Sequence, residues 1–142
     1  MKITVETTVQ APVALVWEAW TTPQDITLWN SASNDWHTPT ATIDLAEGGT
    51  FCYRMEAKDQ SMGFDFEGRF TRVVAGELIE YEMSDGRAVR VEFEDTGDGV
   101  VVRETFDAES AHAGEQQRQG WQAILDRFAK HTESKHLTHP GG

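Results

Sequence analysis

Residues 43–51 read Ile43-Asp44-Leu45-Ala46-Glu47-Gly48-Gly49-Thr50-Phe51, and the adjacent glycines in this stretch decide the fold. On either side of them apolar and polar residues alternate. Period two marks strands whose successive side chains point to opposite faces. A glycine pair accepts the positive φ of a tight turn at no steric cost. The stretch therefore predicts a hairpin, with a strand at 40–45 joined to one at 50–56.

Downstream the same period continues to Asp107. Strands are predicted at 63–73, 78–83, 87–94 and 100–107. The segments between them, "AKDQS", "AGE", "SDG" and "DTGDG", are rich in residues that tolerate turn geometry. Upstream, residues 2–10 alternate as one more half-buried strand. Pro12 stops it, and Val13, Val16, Trp17 and Trp20 then recur with helical spacing. "TTPQD" begins a second short helix: Thr22 can cap it, Pro23 suits a first helical position, and Asp25 favours the positive helix end. Ile26 and Trp29 form its buried side. Residues 30–39 lack periodicity and read as a long loop. Near the end, Trp121, Ile124, Leu125 and Phe128 lie on one stripe of a long helix, and residues 134–142 read as a flexible tail.

Composition narrows the options. One domain, 1–133, fits a chain of 142 residues with 39% apolar content, five Trp and seven Phe. No apolar run is long enough for a membrane span, and the first residues lack a signal-peptide core, so the expected setting is the cytoplasm. The single Cys52 agrees with a reducing compartment. Twelve basic against twenty-four acidic residues give a net charge of −12, which repels nucleic-acid phosphates and anionic headgroups. Neither nucleic-acid binding nor membrane insertion is expected.

One strand, two short helices, a long antiparallel meander and a terminal helix define an α+β layout. A sheet this long must curl, and the terminal helix is the element able to cover its apolar face. In this order the sequence resembles the START-like, polyketide cyclase (SRPBCC) superfamily with its helix-grip fold. Within it the chain is most similar to the branch of heat-shock-protein-90 ATPase activator homologues. The residues that carry the resemblance are 11–30 ("APVALVWEAWTTPQDITLWN"), 44–51 ("DLAEGGTF"), 64–70 ("FDFEGRF") and 120–128 ("GWQAILDRF"). The resemblance implies a curved antiparallel sheet of about seven strands wrapped on the C-terminal helix. These are turn glycines, helix starts and core aromatics, so they carry architecture rather than activity. Members of the superfamily bind lipids or hormones, cyclise polyketides or stimulate a chaperone.

In such a fold the interior between sheet and helix is either packed or hollow, and the aromatic supply suits both. By alternation Phe51, Tyr53, Phe66, Tyr81 and Phe93 point inward, while Trp121 faces them from the helix. Gly68, inside a strand, marks either a bulge or a close approach. Tyr53, Tyr81 and Gln117 are candidate polar anchors for a ligand. Glu104 is the anomaly in "VVVRETF", since strict alternation puts it on the apolar side with Val100, Val102 and Phe106. A buried carboxyl there would titrate high; a bulge or register slip would return it to water. Trp36 and His37 precede the renewed alternation, and Trp36 could gate a cavity. His37 is a candidate acid–base group beside Glu104 and Tyr81.

No Cys pair, His-rich helix, phosphate loop or nucleophile elbow is present in the sequence, so neither metal nor cofactor is expected. The leading expectation is a module that binds a small apolar or amphipathic molecule through Trp36, Phe51, Tyr53, Phe66, Tyr81, Phe93, Gln117 and Trp121. The alternative is a cyclase, dehydratase or hydrolase that uses the same interior through Glu104, Tyr81 and His37. A chaperone-activating interaction module ranks last, and a homodimer is left open.

Overall fold

The computed structural model describes residues 1–138. The chain runs β1 (Lys2–Val9), α1 (Val13–Thr21), α2 (Pro23–Trp29), β2 (Trp36–Ile43), β3 (Thr50–Ala57), β4 (Gly63–Val74), β5 (Leu78–Met83), β6 (Ala88–Asp95), β7 (Val100–Asp107) and α3 (Gly114–Thr138). All strands belong to one antiparallel sheet in the order β1-β7-β6-β5-β4-β3-β2. It is the helix-grip fold: a curled seven-stranded sheet, a long C-terminal helix and two short helices after the first strand.

The opening hairpin forms as its glycines require. Gly48 has φ +87°, a conformation that favours glycine. Gly49 is needed for space, because a Cβ there would lie 2.2 Å from the Asp44 carbonyl oxygen. The turn also docks sideways: Gly48 N–H donates to the Phe70 carbonyl at 2.8 Å and Phe70 N–H to the Gly49 carbonyl at 2.9 Å. One dipeptide thus fixes both the β2–β3 connection and its register on β4.

Two boundaries differ from the sequence expectation. The predicted loop at 30–39 ends early, because β2 begins at Trp36. Its alternation is hidden by Pro39 and by a register shift between His37 and Thr40, the kind of irregularity an edge strand accommodates. The C-terminal helix also continues through Thr138, beyond the tail start expected at 134. Asp25 explains the extension. It is buried on α2 and accepts hydrogen bonds from Lys135 Nζ at 2.9 and 3.1 Å, with His131 Nε2 2.9 Å away. Read in sequence as a helix-end charge, Asp25 is a buried anchor for the last turns of α3. The rest of the expected tail, 139–142, lies outside the described residues.

The sheet's first edge is sealed by α3. Arg118 and Gln122 donate to the Thr4 and Glu6 carbonyls of β1 at 2.9 and 3.0 Å, so exposed backbone acceptors are covered rather than left to template another strand. At the opposite edge, Asn30 and Thr38 tie the end of α2 to β2 through buried hydrogen bonds. The sheet and α3 then enclose an interior between them, capped at one end by α1 and α2.

Candidate functional site

The capped end of that interior is filled. Trp20, Trp29 and Phe128 meet with ring centroids 4.9–5.0 Å apart, and Trp17 and Trp20 pack on Phe93 at 5.2 and 5.8 Å. The Trp29 indole N–H donates to the Ala19 carbonyl at 2.9 Å, so even its polar atom is satisfied.

Further along the sheet the packing opens into a cavity of about 170 Å³. Its floor is β3, β4 and β5, through Phe51, Tyr53, Phe66, Phe70 and Tyr81. Trp121 and Ile124 of α3 roof it, and Trp20, Trp29 and Asn30 close the capped end. Phe51 is the centre of the floor: its ring lies 5.0 Å from Tyr53, 5.2 Å from Phe70 and 4.8 Å from Tyr81. Gly68 makes this possible. It pairs with Phe51 across the ladder, and a Cβ there would meet the Glu82 carbonyl at 2.5 Å and the Phe51 ring at 3.0 Å. The close approach, not a bulge, explains this glycine; the β4 irregularity falls between Phe70 and Arg72.

Glu104 projects into this apolar space. β7 pairs with β1 and β6 without a register shift, so alternation holds and Glu104 lies between Val5 and Val91 on the inner face. It is 6% exposed. Among the described residues no cationic side chain lines the cavity with it. Among the described residues no group donates a hydrogen bond to its carboxyl. Burial alone pushes its pKa from 4.5 up to about 8, which keeps it largely protonated at neutral pH. The two tyrosines respond to it. Burial first, and then the Glu104 charge, raise the Tyr53 phenol. The same two causes and Tyr53 itself raise Tyr81, with Arg87 opposing. Neither hydroxyl has a hydrogen-bond partner among the described residues. Three oxygens therefore share an aromatic cavity with nothing of the protein to bond to.

Comparison with known proteins identifies the scaffold. Residues 10–133 match the family described as activator of Hsp90 ATPase homolog 1-like protein. The chain belongs to this AHSA1-like family. The solution structure of the AHSA1-like protein from Aeromonas hydrophila is 47% identical, with a TM-score of 0.92 over 100% of this chain and 99% of that one. A solution structure from Cytophaga hutchinsonii is 48% identical, with a TM-score of 0.82 over 99% and 97% of the two chains. A crystal structure from Nitrosomonas europaea shares the fold at 17% identity, with a TM-score of 0.79 over 96% and 97%. No curated protein matches the chain.

In this AHSA1-like domain the structure gathers some of the candidate residues and disperses others. Phe51, Tyr53, Phe66, Tyr81, Glu104 and Trp121 all line the cavity. Phe93 does not: it belongs to the filled end, against Trp17 and Trp20. Gln117 sits one turn too early on α3. Its side chain accepts from Glu109 N–H and donates to the Glu109 and His112 carbonyls, stapling the loop before the helix rather than facing a ligand. His37 lies on β2 beside Glu56, 3.9 Å away, and is not part of the Glu104 site. Trp36 packs on Phe64 at 5.9 Å, and it is Phe64 that reaches the cavity.

The sequence reading did not assign Trp20, Trp29, Asn30 or Ile124 to the site. Helical stripes name a buried face but not which turn borders a void. Phe64, Phe66 and Trp121 also border a surface cleft lined by Asp85, Arg87, Glu109 and His112. These three aromatics divide cavity from cleft, and Phe64 is 47% exposed. Among the described residues no helix is long and apolar enough to cross a membrane.

Proposed function

We propose that the protein binds a small apolar or amphipathic molecule in the cavity between the sheet and α3. The observation that carries this reading is the division of the interior. Aromatic side chains close-pack at the α1–α2 end yet leave about 170 Å³ around an unpartnered Glu104. Protein interiors are ordinarily packed to crystal density, and buried polar groups are ordinarily bonded. A cavity that departs from both rules at one place is the default ligand site. The family's fold is commonly one that encloses a ligand, which supports the same reading. Entry by way of the cleft at Phe64, Phe66 and Trp121 suits the arrangement, and a reducing cytoplasm suits the lone Cys52.

The test uses the full chain and NMR of its isoleucine methyls, with toluene as probe. Ile43, Ile79 and Ile124 border the cavity. Saturable shifts confined to these three are expected. Shifts spread over the surface, or none, would contradict the reading.

A second reading rests on Glu104 itself. A neutral carboxyl and two phenols in an apolar site form a donor set able to stabilise charge developing on an oxygen. This favours acid–base enzymes of the cyclase or dehydratase type, with Glu104 and Tyr81 as the reacting groups. The chaperone-activating reading has only the family description behind it.

A further inference from the structure

The chemistry of the three orphan oxygens restricts what the cavity takes. Glu104 is more than nine-tenths buried and borders the cavity; Tyr53 and Tyr81 border it from β3 and β5. The elements packed around Glu104 contribute apolar groups: Val5 from β1, Val91 from β6, and Trp121 and Ile124 from α3. Among the described residues the other titratable groups on the cavity wall are the two phenols. A ligand carboxylate would find no cation to pair with and would meet a carboxyl. A pure hydrocarbon that displaced solvent would leave three hydroxyl donors without acceptors, each costing free energy. An oxygen acceptor on an otherwise apolar molecule answers both conditions.

Size sets the second restriction. About 170 Å³ is close to the volume of about 150 Å³ at which an engineered apolar cavity accommodates benzene. It is well below the roughly 300–1,000 Å³ of pockets for drug-sized ligands.

We propose that the cavity selects a neutral, one-ring-sized molecule bearing a carbonyl-type oxygen, which accepts hydrogen bonds from the Glu104 carboxyl and the Tyr53 and Tyr81 hydroxyls. This rests on the ligand-binding reading above and specifies it. The aromatic walls hold the ring, and the three donors converge on the oxygen. Glu104 must keep its proton to donate. Binding is then constant below neutral pH and weakens as pH passes about 8, where the carboxyl ionises and turns an electron-rich oxygen toward the ligand. A protonated amine would show the opposite trend, because it gains when Glu104 ionises.

The experiment compares three probes of similar shape, acetophenone, ethylbenzene and 1-phenylethylamine, by isoleucine-methyl NMR titration of the full chain between pH 6 and pH 9.5. Acetophenone is expected to bind about tenfold tighter than ethylbenzene at pH 6, the value of roughly one hydrogen bond. Its affinity should fall above pH 8 while that of ethylbenzene changes little. Its carbonyl stretch should move to lower frequency on binding. Glu104→Gln retains an N–H donor and should bind acetophenone without the pH step; Glu104→Leu should lose the pH step and narrow the preference over ethylbenzene to what the two phenols supply. If Glu104→Leu fails to fold, the pH profile of Glu104→Gln still decides. Equal binding of acetophenone and ethylbenzene overturns the selectivity while leaving a ligand cavity standing. Tightest binding of the amine, increasing above pH 8, overturns it in favour of a cationic ligand. Absence of binding by all three overturns this proposal and the cavity reading together.

Discussion

The two halves of the interior are built from the same kind of residue and come out differently. At the α1–α2 end, Trp20, Trp29, Phe93 and Phe128 close-pack, and the Trp29 indole N–H finds the Ala19 carbonyl. Along β3–β5, Phe51, Tyr53, Phe66 and Tyr81 surround open volume, and the polar atoms among them find nothing. Aromatic content alone therefore does not say whether an interior is core or container. What separates the halves is whether side chains of α1 and α2 fill the space against the sheet, and whether an unpartnered carboxyl lies in it. Stability resides in the first half, and the second carries the costs that a binding site imposes.

The largest expected effect follows from Glu104. Its folded-state pKa of about 8 lies above the usual 4.5, so between those values the folded chain keeps a proton that the unfolded chain has lost. Stability is fully present below about pH 4.5 and is lost as pH rises toward 8. At about 1.4 kcal/mol per pH unit the loss is roughly 5 kcal/mol. Urea unfolding of wild type and Glu104→Gln at pH 5 and pH 8.5 should show a gap that shifts in favour of the variant by several kcal/mol at the higher pH. A constant gap would contradict a buried carboxyl.

Next comes truncation at the filled end. Phe128 is fully buried against Trp20 and Trp29, and Phe128→Ala should cost about 3–5 kcal/mol by chemical denaturation. The same truncation at Phe66, on the cavity wall and partly exposed, should cost about 1–2 kcal/mol, because part of its surroundings is already open. Similar losses at both positions would erase the distinction between the halves. The smallest effect is expected at Tyr81. Its hydroxyl has no partner among the described residues, so Tyr81→Phe should cost no stability and should give at most a gain of about 1 kcal/mol. A loss of about 1 kcal/mol or more would reveal a hydrogen bond to the Tyr81 hydroxyl.

Most of the fold was legible in the sequence because two local signals agreed. Period-two alternation gave β3 through β7 nearly residue by residue, and the β2–β3, β4–β5, β5–β6 and β6–β7 connections turn at Gly48, Gly76, Gly86 and Gly97, all of which adopt positive φ. The start of β2, at 36–39, escaped because Pro39 and its bulge interrupt the period on an edge strand. The end of α3 escaped because the contact that orders it, Lys135 with Asp25, joins residues far apart in sequence. The candidate site was legible in direction but not in depth. Alternation put Phe93 and Tyr81 on the same inner face, yet one meets Trp17 and Trp20 and the other borders the cavity. Which of them faces open volume depends on where α1 and α2 stop filling the interior. Glu104 was visible as an anomaly because strict alternation singled it out, and an unshifted register on both neighbouring strands keeps it inside.

The most direct measurement is a carbon-13 NMR titration of the Glu104 side-chain carboxyl in the intact protein. A midpoint near pH 8 is expected, and addition of acetophenone should raise it further. A midpoint near the ordinary 4.5 would place Glu104 in water and leave this interior without a buried, unpartnered acid for a ligand to meet.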